Sequence, residues 1–150
     1  MICAVTTAGF YDGRCLTHDN GSMVLDGVTH PLRIRGRGNS TWTWPKKPYK
    51  LKLDDDASLL GMPADDEWVL LANYADRTSL RTQLAMALAS RLRLGWVPRI
   101  RFVDVTLNAE PLGLYVLTEQ VEQGENRVWL PTGGNLVEID YRFRDAGEPG

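Results

Sequence analysis

The chain has 150 residues and a mass of 16.8 kDa, with 43% hydrophobic and 24% charged residues. These values fit one globular domain, or part of a larger one, and exclude a disordered tail, a collagen-like fibre and a disulfide-rich miniprotein. The net charge of −2 argues against a nucleic-acid binder. No apolar stretch is long enough to cross a membrane, and the first residues lack the pattern of a signal peptide. We therefore expect neither nucleic-acid nor membrane partners, and we assign no compartment.

The first half of the chain is predicted to contain short strands joined by turns. The predicted strands are 2–7, 15–17, 22–25, 28–37 and 49–53. The dipeptide Asp26-Gly27 is a strong signal for a two-residue hairpin turn. Alternation along the last of these strands puts Lys50 and Lys52 on the face opposite the core. An acidic loop is predicted to follow over 54–66.

The second half is predicted to contain one helix and then more strands. Residues 68–72 form a buried strand or a short helix, which periodicity does not separate. Asp76 is a candidate N-cap for a helix over 77–94 whose apolar stripe is Leu80, Leu84, Leu88 and Leu92. The remaining predicted strands are 100–107, 112–118, 128–130 and 136–139, with a hairpin loop at 108–111. The predicted fold class is α+β, a mostly antiparallel sheet with one long helix packed on it.

Charge is arranged in blocks along the chain. Seven basic residues and no acid lie between Pro31 and Lys52, and six acids and no base lie between Asp54 and Glu67. Six arginines and no acid follow between residues 77 and 101. Such blocks either create local fields that attract a charged ligand or neutralise one another on a solvated surface. The two cysteines and two histidines lack the spacing of a zinc site, so we predict no metal ligands.

The segment RIRGRGNSTW at 33–42 suggests an anion site. A turn with two glycines can aim backbone N–H groups into a concavity, and arginine forks add bidentate phosphate contacts. A glycine turn followed by a lysine-bearing strand also occurs in protein kinases. The turn here is Gly-x-Gly-x-x-Thr, however, and basic strands are commonly solvated sheet edges. The residues by themselves leave phosphate binding and a solvated edge as alternatives.

Four blocks resemble the spore-coat CotH kinase family. They are IRGRGNSTW (34–42) with KKPYKLK (46–52), WVLLANYADRTSLR (68–81), LNAEPLGLYVLTEQVE (107–122) and GGNLVEID (133–140). The resemblance implies an atypical protein-kinase-like fold that uses ATP with Mg²⁺ or Mn²⁺. It also implies transfer of the γ-phosphate to serine or threonine of a protein such as a spore-coat or surface protein. Members of the family are often secreted or coat-associated.

The resemblance also implies a domain organisation. Residues 1–118 would be a kinase-like small lobe, and residues 119–150 the hinge and the start of the large lobe. The metal-binding aspartates and catalytic residues are expected beyond residue 150, so the chain by itself is expected to be inactive. Two alternatives stay open: a non-catalytic module that binds an anion or a protein, and a fragment without independent function.

Six residues are candidates for binding ATP: Arg35, Arg37, Lys50, Lys52, Glu119 and Gln120. The basic residues would hold phosphates, with Lys52 favoured over Lys50 because it is expected to lie deeper in the strand. Glu119 and Gln120 would meet the adenine through backbone groups. The alternatives are pairing with a neighbouring strand for the basic residues and a simple loop for the other two. Kinases pair such a lysine with a helix glutamate, which the predicted helix lacks, so Glu119 and Glu138 are its candidate partners.

Overall fold

A computed structural model describes residues 2–7, 19–38 and 40–138. Its strands are β1 (Ile2–Thr7), β2 (Asp19–Leu25), β3 (Val28–Gly36), β4 (Tyr49–Ala57), β5 (Asp65–Leu71), β6 (Ile100–Leu107) and β7 (Glu110–Glu119). One helix, α1 (Leu80–Arg91), connects β5 to β6, and a 3₁₀ turn covers Ser40–Thr43. None of the helices in these ranges is long and apolar enough to span a membrane.

The seven strands form a single curled sheet in the order β1-β2-β3-β4-β5-β7-β6. Six neighbouring pairs are antiparallel, and a parallel pairing of β1 with β6 closes the sheet into a barrel. The side chains that point inward fill the core. Its largest members are Trp68, Tyr115, Met23, Leu32, Ile34, Leu51, Leu53 and Leu70.

The predicted fold class was wrong about the helix. Helix α1 has 12 residues and no buried side chain, so it is not a long helix packed on a sheet. Leu80, Leu84, Leu88 and Leu92, predicted to face the core, are 55–70% exposed. The physical reason is the closure of the sheet, because a barrel fills its interior with its own strand side chains and needs no helix to cover that face.

Two tight hairpins determine the register of neighbouring strands. Asp26 and Gly27 both have positive φ (52° and 81°), as the predicted two-residue turn requires. Asn108 and Ala109 do the same between β6 and β7 (49° and 66°), so the predicted four-residue loop is two residues long. Strand pairing continues directly from both turns.

Several predicted elements differ in extent from the observed ones. Residues 68–72 were left as strand or helix, and β5 shows that most of them are strand. The acidic loop was predicted too long, because β4 runs on to Ala57 and β5 begins at Asp65. The predicted strands at 128–130 and 136–138 are absent, and Val128 makes an isolated bridge with Gln123. Residues 15–17 and 139 lie outside the described residues.

Candidate functional site

The connection between β3 and β4 is a packed turn that needs its glycines. A Cβ at Gly36 would lie 2.4–2.8 Å from ring atoms of Trp42, so the indole lies directly against the glycine backbone. The same indole meets the Tyr49 ring edge-on at 6.2 Å between centroids. Gly38 has a φ of 95°, which favours glycine, and the Arg37 N–H donates to the Pro48 carbonyl at 3.1 Å. These contacts hold the basic turn in a defined shape.

Two adjoining cavities of about 270 and 700 Å³ lie between this turn and the connection from β5 to α1. We call them the turn cleft. Its polar and aromatic lining includes Arg37, Thr41, Trp44, Lys46, Asn73, Tyr74, Asp76, Arg77 and Arg81. Cations from three separate segments therefore converge on one cavity.

The turn cleft offers mainly hydrogen-bond donors. The Asn73 side-chain nitrogen is buried and has no hydrogen-bond partner. Lys46 donates to the Leu114 carbonyl and lies 4.3 Å from the centre of the Tyr115 ring. Burial lowers the pKa of Lys46, while the charge of Asp104 opposes that shift. A cavity lined by four cations (Arg37, Lys46, Arg77 and Arg81) and an unsatisfied amide donor suits an anion such as a phosphate group.

The acid in this lining, Asp76, is engaged by the start of α1. Its carboxylate accepts hydrogen bonds from the Thr78 hydroxyl at 2.7 Å and from the Arg81 N–H at 2.9 Å. The Thr78 hydroxyl and the Arg81 N–H lower the pKa of Asp76, so it stays ionised. Asp76 was predicted as the N-cap. The N-cap position is instead Ser79, which makes no side-chain capping bond, and Asp76 caps the helix from upstream.

The other predicted cations lie on the outward face of the sheet beside the cleft. Arg35 is opposite Lys50, and Arg33 is opposite Lys52, across the β3–β4 pair. The Arg35 side-chain Nε is buried without a hydrogen-bond partner. Arg37 follows the end of β3, two residues after Arg35, and lines the turn cleft, so this face leads to the cleft.

The two lysines have acid partners on β5. Lys50 Nζ lies 2.5 Å from Glu67 Oε2, and Lys52 Nζ lies 2.6 Å from Asp66 Oδ2. The hydrogen bond with Asp66 raises the pKa of Lys52. The suggestion of Glu119 or Glu138 as partner was therefore wrong, and Glu138 is exposed. Lys52 does lie deeper in the strand than Lys50, which is the second residue of β4, but the Lys50 side chain is the more buried of the two, at 14% exposed against 31%.

A pair of carboxyl groups, Glu67 and Glu122, lies next to Lys50. Burial raises the pKa of Glu122 to about 8, and the hydrogen bond and negative charge of Glu67 add to the shift. Burial alone would raise the pKa of Glu67, but the hydrogen bonds from Lys50 and Glu122 outweigh it and the pKa is lowered. The two groups therefore share one proton, which Glu122 holds at neutral pH.

This shared proton predicts a pH-dependent stability. The unfolded chain releases the Glu122 proton near pH 4.5, whereas the folded chain holds it to about pH 8. Because the folded state binds more protons between these values, the free energy of unfolding falls as pH rises through this window. Glu122 is only partly buried, so we expect a fall of about 1 kcal/mol, or about 2–4 °C in thermal midpoint. Below this window, Glu67 becomes protonated as pH falls. Because its pKa is lowered in the folded chain, this protonation lowers the free energy of unfolding.

Thermal midpoints at about pH 5 and pH 9 would measure the effect. Glu122→Gln should flatten the decline, because the amide keeps its shape and cannot lose a proton. Glu125→Gln, at an exposed position in the same segment, should leave the decline unchanged. An equally steep decline in Glu122→Gln would assign the pH dependence to other groups.

Glu119 is fully buried and holds a structural ion-pair network. Its carboxylate accepts from the Arg99 N–H at 2.7 Å, from Arg99 Nη1 at 2.8 Å and from Arg127 Nη1 at 3.1 Å. Gln120 follows at the end of β7, and its N–H donates to the Glu67 carbonyl at 3.4 Å. The Glu119 N–H donates to the Arg99 carbonyl at the same distance. Binding of an adenine through these two residues stays a prediction, but their N–H groups are already engaged.

The sequence patterns missed, or only partly predicted, three groups of residues. The turn cleft uses Lys46 and Asn73 besides the predicted Arg37, and Arg127 joins the network around Glu119. These residues are distant in sequence, and the pairing of the strands brings them together. The pairing of Lys50 with Glu67 had a usable signal, because a basic strand is followed by an acidic one and neighbouring strands pair.

Comparison with known proteins gives one family. A family model described as CotH kinase protein matches residues 34–149, which is most of the chain. The match begins in β3 and includes the glycine turn, strand β4 with Lys50 and Lys52, and both sides of the turn cleft. A search of curated proteins found no match. On this match the chain belongs to the CotH kinase family.

Proposed function

We propose that the chain binds ATP as part of a protein kinase that phosphorylates serine or threonine of a protein such as a spore-coat protein. Membership of the CotH kinase family supports the class of reaction. The single observation that carries the nucleotide site is the turn cleft, where Arg37, Lys46 and Arg81 meet the unsatisfied Asn73 amide. In this proposal the triphosphate lies in the turn cleft.

The outward face of the sheet supports an extended ligand. Leu71 lines the cleft, and Glu67, whose carbonyl accepts from the Gln120 N–H, lies four residues earlier in β5. Four residues span about 13 Å at the usual strand rise. Arg35 and Lys50 lie between these ends. A nucleoside triphosphate stretched along this face would have its phosphates at the basic turn and its base near Gln120.

The residues that line the turn cleft fit the triphosphate. The phosphate oxygens would accept from the guanidinium and ammonium groups and from the amide of Asn73. Within the described residues, no group of three or more His, Cys, Asp or Glu side chains could hold a metal ion. We therefore assign the described residues the work of binding and orienting the triphosphate. When bound, ATP supplies the phosphoryl group that is transferred, and the cations of the cleft stabilise its charge.

Calorimetric titration of the chain with ATP, adenosine and inorganic triphosphate tests the proposal. ATP should bind at least about tenfold more tightly than adenosine, because one charge-assisted hydrogen bond contributes about 1.5–3 kcal/mol. Triphosphate should compete with ATP. Equal affinities for ATP and adenosine, or no binding of either, would contradict a phosphate site in the turn cleft.

A further inference from the structure

Helix α1, with its C-cap residue Leu92, presents an exposed face that carries four leucines and two arginines. Leu80, Leu84, Leu88 and Leu92 are 56%, 70%, 55% and 65% exposed. At 3.6 residues per turn, successive members of this set are offset by about 40°, so the four share one side of the helix. Residues of the opposite side, Thr82, Met86 and Ala89, are partly buried. The leucine side therefore points away from the rest of the described protein.

Arginines lie among these leucines rather than behind them. By the same helical geometry, Arg91 falls between Leu80 and Leu84 in angle, and Arg81 falls between Leu88 and Leu92. Arg77 precedes the helix and Arg93 follows it. No acidic residue occurs between residues 77 and 101. Among the described residues, none forms an ion pair with Arg77, Arg91 or Arg93.

We propose that this Leu/Arg face is a docking surface for an acidic amphipathic segment of a partner protein. Burying several adjacent leucines supplies the apolar contribution to such a contact, and arginine is enriched in protein interfaces. In the partner segment, apolar side chains would contact the leucines, and carboxylates between them would pair with the arginines. The inference rests on the four exposed leucines and Arg91, none of which lines the turn cleft, and it does not depend on nucleotide binding; Arg81 lies where this face and the cleft meet.

The charge pattern favours this partner over two other occupants. A second copy of the chain in a two-fold contact would place this acid-free face against itself, with arginine opposing arginine. An interfacial membrane helix separates an apolar face from a basic face, whereas here leucine and arginine share one side. An acidic protein segment satisfies both the leucines and the arginines.

The test uses a fluorescein-labelled helical peptide of about 16 residues, with leucines at every fourth position and glutamates between them. Fluorescence anisotropy should show saturable binding to the 150-residue chain that weakens as salt is raised. The double variant Leu84→Gln with Leu88→Gln should weaken binding at least about tenfold, and Arg91→Gln about threefold. Val28→Gln, which changes an equally exposed apolar residue on the β2–β3 hairpin, is the matched control and should bind like the wild type.

Each other outcome would overturn the proposal. It fails if the peptide does not bind, if a version with lysines in place of glutamates binds equally well, or if the double variant binds unchanged. Tighter binding to phosphatidylserine vesicles than to the peptide would assign the face to a membrane. Self-association that the double variant abolishes would assign it to a second copy. Circular dichroism of each variant checks the fold, which the exposed positions should leave intact.

Discussion

Replacing Arg127 with methionine is expected to lower the free energy of unfolding by about 3–5 kcal/mol. The Arg127 side chain is fully buried, pairs with Glu119 and Asp65, and lies 5.0 Å from the centre of the Trp68 ring. Its removal leaves Glu119 with a single cationic partner, Arg99, in the interior. An incompletely paired buried charge costs much more than the loss of an exposed ion pair.

Chemical denaturation of matched variants measures this effect. Arg101→Met removes an exposed guanidinium that donates to two backbone carbonyls, and it should cost about 1 kcal/mol or less. Adding Glu119→Gln to Arg127→Met should recover part of the loss, because the neutral amide no longer needs a counter-charge. Equal losses for Arg127→Met and Arg101→Met would mean that the buried network contributes no more than a surface contact.

Arg37→Ala is expected to weaken ATP binding by about tenfold to a hundredfold, with a small change in thermal midpoint. Its guanidinium lines the turn cleft, where a charge-assisted hydrogen bond to phosphate is worth about 1.5–3 kcal/mol. Arg33→Ala, four residues earlier on the outward face of β3 and outside the cleft lining, is the matched control and should bind ATP like the wild type. ATP affinity and thermal midpoint should be measured together on both variants. Unchanged affinity with a large fall in midpoint would make Arg37 a structural residue.

Local patterns in the sequence predicted the hairpins and the strand faces well. The Asp26-Gly27 turn and the alternation of Lys50 and Lys52 against Leu51 depend on neighbouring residues, and the structure has both. The barrel closure could not be predicted in this way. It depends on the parallel pairing of Ile2 with Asp104, which brings together the two ends of the sheet. Nothing in either strand specifies that partner.

The leucine stripe of α1 shows a second limit of sequence periodicity. Spacing by four residues predicts that Leu80 to Leu92 share a side, which they do. It does not predict that this side is buried, because burial depends on whether the sheet needs a cover. The turn cleft shows the same difference between what a local pattern predicts and what depends on contacts between distant segments. The glycine turn and Arg37 were evident from one segment, but Lys46 and Asn73 join them through contacts between segments.

Mapping ATP binding by NMR on the ¹⁵N-labelled chain tests the central claim most directly. The claim is that ATP phosphates occupy the turn cleft of this CotH-family chain. Titration with ATP should shift the amide resonances of the glycine turn and of residues 72–82, while inorganic triphosphate should shift the same set. The β2–β3 hairpin, at the other end of the barrel strands, should not respond. Shifts confined to surfaces away from the turn, or no shifts at saturating ATP, would contradict the account.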